Sequence, residues 1–397
     1  MYLRIRKLAA LGLALTCIAA IAHAQAAGNE PKRPKVEADM DTNDAQSFLL
    51  VAAHQIDLRP AVARDAFWWA TKLDPGSAPA YYGLRMATIL ADESVVRLLL
   101  NGAKNERDRG DVRRLDSLDL KVELLDPFAS RNLEGKWLAR LSEVMGYTPQ
   151  DVGKSFAKRG DYQFGLLNMW EGRLPMALEA FARSLRTAKV TSGIHALRGR
   201  IFQAVGNPDS ALGSLKAAVD AAKKVEDTAL VRFFQPKARY LYQMGWLYEA
   251  LEKPALAREA YGQALVEDLS FYPAHQRLAL LALAAGDTAT AISEFDIGVQ
   301  AGTEDVVLRL QYAYALAATR KLAEASQQVQ QVIAKEPYYS DPYLMLARLY
   351  DATEMADLAL VNYKAFLARS PSTDMQRGFA QDRVTTLSAA GKKGGAS

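Results

Sequence analysis

Alanine recurs at one fixed interval along this chain. Ala257, Ala291, Ala325 and Ala359 are each 34 residues apart, and Ala177 and Ala211 form another such pair. The chain holds 68 alanines in 397 residues, so one coincidence would carry little, and the rest of the frame has to agree. It does. Four residues after each alanine stands a large apolar residue (Phe181, Leu215, Tyr261, Phe295, Val329, Tyr363), and twelve before stands a small one (Gly165, Gly199, Gly245, Ala279, Ala313, Ala347). Pro337 and Pro371 close two units twelve residues after their alanines. Apolar residues recur at three and four rather than two, and β-branched runs are absent, which reads as helix. The unit is then two antiparallel helices: the small residue lets the backbones approach, the aromatic fills the gap to the next unit, and proline ends the second helix.

The stretch from Phe164-Gly165 through Gly172 to Ala177 and Phe181 resembles the tetratricopeptide repeat family. So do Met244-Gly245 through Tyr248 to Ala257, Tyr261 and Ala264, and Tyr343 through Leu346, Ala347 and Tyr350 to Ala359, Tyr363 and Pro371. A separate N-terminal unit fits at Leu50, Ala63, Phe67, Ala70 and Leu73-Asp74-Pro75. The resemblance implies an all-α fold, a right-handed α-solenoid of tetratricopeptide-type helix pairs.

Two intervals depart from the period. Ala211 to Ala257 is 46 residues, 12 more than one period, so the helices around 220–240 are lengthened or an insertion with Pro236 intervenes. Ala63 to Ala177 is 114, three periods plus 12. Residues 78–92 start in frame at Tyr81 and Leu84, but Arg97 takes the alanine position, and 110–157 fit the frame poorly, with breaks at Asp126-Pro127 and Thr148-Pro149. The expected organisation is an N-terminal helical region at 45–157 with one clear unit, a solenoid at 158–371, a capping helix at 372–390 and a loose tail at 391–397.

The first residues carry an address rather than a fold. Arg4, Arg6 and Lys7 precede an apolar run from Leu8 to Ala22, and Ala22 and Ala24 flank His23 as a cleavage site, so 1–24 reads as a signal peptide cut after Ala24. Fifteen apolar residues fall short of the roughly 20 needed to span a bilayer. Cys17, the one cysteine, would be a lipid-attachment site only with a small residue before it, and Thr16 stands there. The address is therefore periplasmic or secreted, with no membrane span after cleavage. Residues 25–44, with Pro31, Pro34 and eight charges, read as a flexible leader with too little apolar surface to pack. The formal charge of +4 falls to +1 once the three cations of the signal are set aside. A near-neutral body argues against nucleic acid and anionic membrane as partners, since both demand clustered Lys and Arg.

No chemical motif stands out. There is no H-E-x-x-H, no G-x-S-x-G and no phosphate loop, and with no cysteine in the body neither disulfides nor Cys-ligated metals are available. His195 and His275 share one repeat position and read as packing residues. No catalytic, metal or cofactor residue is assigned. A rival reading is an envelope hydrolase with its acids in 78–157, either Glu123 and Asp126 or Glu134 and Glu143. A second is a purely structural oligomer that pairs through its convex face or through long helices near residue 230. The oligomeric state stays open.

The resemblance also implies a concave groove lined by the first helix of each unit, holding an extended peptide or a partner's helix. The frame places Arg200, Gln203, Arg239, Tyr242, Trp246, Glu249, Gln276, Tyr314, Arg348 and Asp351 on it. At 100° per residue, 239, 242, 246 and 249 fall within about 80° of one helix face. That face suits recognition, aromatic area for affinity and charge for orientation; alternatively, Tyr242 and Trp246 pack under the 12-residue insertion. The family's cationic clamp for carboxylate-terminal peptides is not matched, because Phe48, Ala52, Tyr162 and Leu166 stand at its positions. The sequence thus reads as an exported scaffold or adaptor of the cell envelope that binds a protein or peptide, in envelope assembly or macromolecule export.

Overall fold

The structure, a computed structural model, describes residues 30–394 apart from 147, 149, 152, 153, 155–157, 159, 190 and 229–236. The signal at 1–24 with Cys17, the start of the leader, Pro236 and the last three residues lie outside the described residues. Among those described there are nineteen helices and no strand, the first two being α1 (Ala45–Gln55) and α2 (Pro60–Leu73). The chain divides into two compact units, one from residues up to Val51, Trp68–Gly76 and Glu304 onward, the other from Ala52–Phe67 and Ser77–Thr303.

Six helix pairs follow the 34-residue frame: α7 (Asp161–Trp170) with α8 (Leu174–Ser184), α9 (Ser192–Ala204) with α10 (Pro208–Thr228), α11 (Lys237–Ala250) with α12 (Pro254–Glu267), α13 (Tyr272–Ala284) with α14 (Thr288–Ala301), α15 (Val306–Ala318) with α16 (Leu322–Lys335), and α17 (Asp341–Ala352) with α18 (Ala356–Arg369). Each pair is joined by the same three-residue turn. Its middle residue is left-handed in all six: Gly172, Gly206 and Gly286, but also Glu252, Arg320 and Glu354, with φ between 55° and 78°. The next backbone N–H then reaches back to the carbonyl five residues earlier, as from Asn207 to Phe202 and from Met355 to Tyr350, both at 2.8 Å. These are Schellman closures, which satisfy the orphan carbonyls at the end of the first helix.

The small and large frame positions meet. A Cβ added to Gly245 would lie 2.4 Å from the Tyr261 ring, and one added to Gly165 would lie 2.6 Å from Phe181. Both aromatics are fully buried, as are the frame alanines 177, 211, 257, 291, 325 and 359. In these two pairs glycine makes room for the ring that fills the inside of the pair. The extra 12 residues before Ala257 lengthen α10 to 21 residues, against 11 to 14 in the other second helices.

In the larger unit, residues 78–145 depart from the helix-pair pattern. Four helices, α3 (Ala78–Ala91), α4 (Glu93–Asn101), α5 (Glu106–Leu125) and α6 (Glu134–Met145), gather around Tyr82, Met86, Ile89, Val96, Leu115 and Val122. Asp92 and Asn105 cap α4 and α5 through side-chain bonds to Ser94 and Asp108.

In the other unit the leader is part of the fold. The Arg33 guanidinium lies 4.2 Å from the Trp69 ring, with Tyr338 and Phe48 completing an aromatic enclosure. Trp69 Nε1 donates to the Pro31 carbonyl at 2.9 Å, and the Tyr338 hydroxyl donates to Glu30 at 2.8 Å. Asn43 donates to the Ala368 carbonyl, and Asp41 accepts from the Ser372 N–H. Residues 30–44 are therefore placed by polar and cation–π contacts, which a hydrophobicity argument does not weigh. The last helix, α19, runs Arg377–Gly394 rather than 372–390 and packs on α18 through the fully buried Ala380.

Candidate functional site

In the C-terminal unit the predicted groove residues Arg348 and Asp351 lie on α17 and line an open cleft of about 490 Å³ with Ala352, Tyr363, Phe379 and Arg383. Asp351 is engaged within the fold, since it takes Arg383 through both oxygens at 2.7 and 2.8 Å and the Tyr363 hydroxyl at 3.1 Å. Those bonds from Arg383 hold its carboxyl below the ordinary carboxylate range, while burial and then the Asp351 charge push the Tyr363 phenol up to about 12. Arg348 is exposed and stacks 5.0 Å from the Phe379 ring, which is itself 44% exposed. Arg348 also donates to the Gln376 side-chain oxygen at 2.6 Å. Tyr314, one period before Arg348, is 48% exposed. The cleft thus presents a cation on an aromatic plate, with its own acid already neutralised.

In the larger unit the densest predicted stripe is covered by the chain itself. Tyr242 is buried, its hydroxyl donating to the Leu124 carbonyl at 3.0 Å and its ring packed on Tyr261 and Phe271. Gln243 donates to Glu123 at 3.2 Å, Arg239 lies 3.5 Å from the same carboxylate, and Phe128 packs into the cluster of Ala211, Leu215 and Leu247. The end of α5, more than a hundred residues upstream, thus covers Tyr242; the insertion around Pro236 lies outside the described residues. Trp246 is half-buried beneath Arg277 at 4.9 Å. Glu249 holds Arg277 at 2.5 and 2.9 Å and accepts from the Tyr261 hydroxyl at 2.5 Å. Arg200 and Gln203 on α9 are partly exposed, and burial, then the Arg131 cation, lowers the Arg200 guanidinium to about 10. Gln276 is half-buried on α13.

Glu249–Tyr261 and Asp351–Tyr363 are the same tie three periods apart. In both, an arginine from the helix that follows the pair completes it, Arg277 on α13 and Arg383 on α19. Helix pairs at a 34-residue period, a small residue against a large apolar one within each pair, and a common turn define the repeat, to which two of the six pairs add the tie. The architecture is that of a tetratricopeptide repeat. No family model matches the chain, and no curated protein matches it. Solved structures that resemble it include YrrB, described as a TPR protein with an unusual peptide-binding site (18% identity, 54% of this chain and 99% of that one, TM-score 0.40). Others are pilF of Pseudomonas aeruginosa (17%, 58% and 96%, TM-score 0.42) and MamA of Desulfovibrio magneticus RS-1 (16%, 45% and 94%, TM-score 0.38).

Outside the tetratricopeptide ties, neither expected hydrolase pair is assembled. Glu134 and Glu143 are nine residues apart on α6, so they point about 180° from each other; Glu143 pairs with Arg140 at 2.7 Å. Burial raises the Glu134 carboxyl, which is 8% exposed among Arg85, Arg131 and Asp119. Glu123 is taken by Gln243 and Arg239, and Asp126 accepts from the Phe128 N–H. His275 is buried with Nδ1 2.7 Å from Glu294 and Nε2 3.3 Å from the Leu269 carbonyl, both ring nitrogens satisfied. Among the described residues no acidic, histidine or cysteine cluster could hold a metal, and no helix is long and apolar enough to cross a membrane. Of the long helices near residue 230, invoked for an oligomer, α10 is described to Thr228, and residues 229–236 lie outside the described residues. Sequence reasoning missed Phe379 and Arg383, which follow the last clear unit. A signal existed: Phe379 is three periods after Arg277, and Arg383 sits one helical turn further on the same face.

Proposed function

We propose that the protein is an interaction scaffold of the cell envelope, acting in envelope assembly or macromolecule export, that holds a partner protein by an acidic segment laid along first helices of its repeats. The observation that supports this best is the cleft with Arg348 stacked open on Phe379 while Asp351 is spent on Arg383 and Tyr363. A guanidinium on an aromatic face offers a carboxylate a directional, partly desolvated partner, and Phe379 offers the neighbouring residue apolar area. Because helices fix these side chains beforehand, little ordering entropy opposes binding. The envelope setting is supported by the signal pattern of residues 1–24.

Substitutions at Tyr242 would strike the core, so the test belongs at the cleft. Cross-linking in the native envelope, followed by identification of attached proteins, is repeated with Arg348→Ala, Phe379→Ala and the double variant. Loss of the same partner from all three, with unchanged helix content, is expected. Full recovery of that partner by the double variant would end the reading.

A further inference from the structure

The covered stripe on α11 is built like a binding surface with something in it. Four features of the segment Glu123–Phe128 match what an incoming chain would offer. A carboxylate, Glu123, meets Arg239 and Gln243; a main-chain carbonyl, that of Leu124, accepts from Tyr242; a turn follows at Asp126-Pro127; and an aromatic, Phe128, enters the apolar cluster beside Phe202 and Met244. These contacts use α11 and α9, the first helices of two successive repeats.

The fit is incomplete. Gln243 Oε1 and Trp246 Nε1 on α11, and Gln203 Oε1 and Arg198 Nε on α9, are buried without a hydrogen-bond partner. Buried polar atoms are almost always paired, because each unpaired one forfeits bonds it would make in water. Four such atoms, two donors and two acceptors, lie on the helices that the segment covers. An extended chain carries donors and acceptors alternately along its backbone and can serve both kinds at once, whereas the end of a helix has its N–H groups committed inward. A segment of the same side-chain chemistry that enters extended brings both kinds of group to these helices.

We propose that Glu123–Phe128 is a built-in occupant of the α9–α11 surface, and that this surface receives in its place a partner protein's extended segment carrying a carboxylate, then aliphatic residues, then an aromatic. This rests on the reading that first helices bind peptide, but uses a different surface from the Arg348 cleft, so the two can fail separately.

The test uses the full chain and a fluorescein-labelled peptide of residues 121–130, read by anisotropy. Phe128→Ala and, as a milder change, Glu123→Gln weaken the built-in occupant. Both are expected to bind the peptide at least tenfold more tightly than the unaltered chain, with Phe128→Ala the tighter. Adding Arg239→Ala is expected to abolish the gain, whereas adding Arg348→Ala is expected to leave it. Should Phe128→Ala lose helix content, Glu123→Gln alone decides. Equal affinity in the folded variants and the unaltered chain, or equal binding of a scrambled peptide, overturns the proposal.

Discussion

The Tyr363 hydroxyl donates to Asp351, and 102 residues earlier the Tyr261 hydroxyl donates to Glu249. Four other repeats carry Phe181, Leu215, Phe295 and Val329 at the tyrosine position, and twelve residues before them stand Met169, Gln203, Leu283 and Ala317, none of them a carboxylate. The chain therefore writes the same packing position in two dialects, one polar and paired, one without the acid.

That contrast predicts a coupling. Tyr261→Phe removes one bond to a charged acceptor and is expected to cost about 1.5 to 3 kcal/mol. Glu249→Leu strands both Tyr261 and Arg277 and is expected to cost about 3 kcal/mol or more. The double variant recreates the Leu283–Phe295 arrangement and should be more stable than the two losses summed, by at least about 1 kcal/mol, in urea titrations followed by circular dichroism. Strict additivity would show that the tie is not an interaction.

Three of the six turns place Glu252, Arg320 or Glu354 where the others have glycine. A left-handed L-residue costs roughly 1–2 kcal/mol. Glu252→Gly, Arg320→Gly and Glu354→Gly should each raise the midpoint of thermal unfolding, and Gly206→Ala should lower it. A fall in all three glycine variants would contradict the shared turn geometry.

Glu134 gives a pH dependence. Its folded carboxyl binds a proton more readily than the unfolded one, for which 4.5 is the reference value, so its protonation favours the folded state. The favourable effect is complete below the unfolded value and is lost as pH rises through the higher folded value. Removing the group in Glu134→Gln should make the difference in Tm, variant minus unaltered chain, grow between pH 4 and pH 7. A flat difference would place the carboxyl in water.

Arg33 tests the leader. Arg33→Ala forfeits cation–π contact worth about 0.5–2 kcal/mol, and Arg33→Lys keeps the charge without the planar stacking. Both should lower Tm and speed trypsin cleavage at Lys32 or Lys35, alanine more than lysine. Cleavage unchanged in Arg33→Ala would mean that its aromatic enclosure does not hold residues 30–44.

The period, the Gly245–Tyr261 contact and the Gly172-type turns were all legible as spacing, because repeated local packing leaves repeated residues. The Tyr–carboxylate ties were legible too, by comparing each unit with the others at twelve residues' distance. The cover over Tyr242 was not, since a carbonyl at Leu124 leaves no trace in residue type and a contact between distant segments has no period. The leader defeated the composition argument for a related reason: one arginine among Trp69, Tyr338 and Phe48 is decisive in space and negligible in an average.

Glu30 and Tyr338 are 308 residues apart in the chain. At a synthesis rate of ~5–20 residues per second, roughly 15 to 60 s separate the appearance of one from the other. For that time Trp69 and Arg33 have each other but not Tyr338. Ordinary repeat arrays can begin at any unit and grow outward; here the contacts of Glu30 and Arg33 with Tyr338 close only after residue 338 has been made.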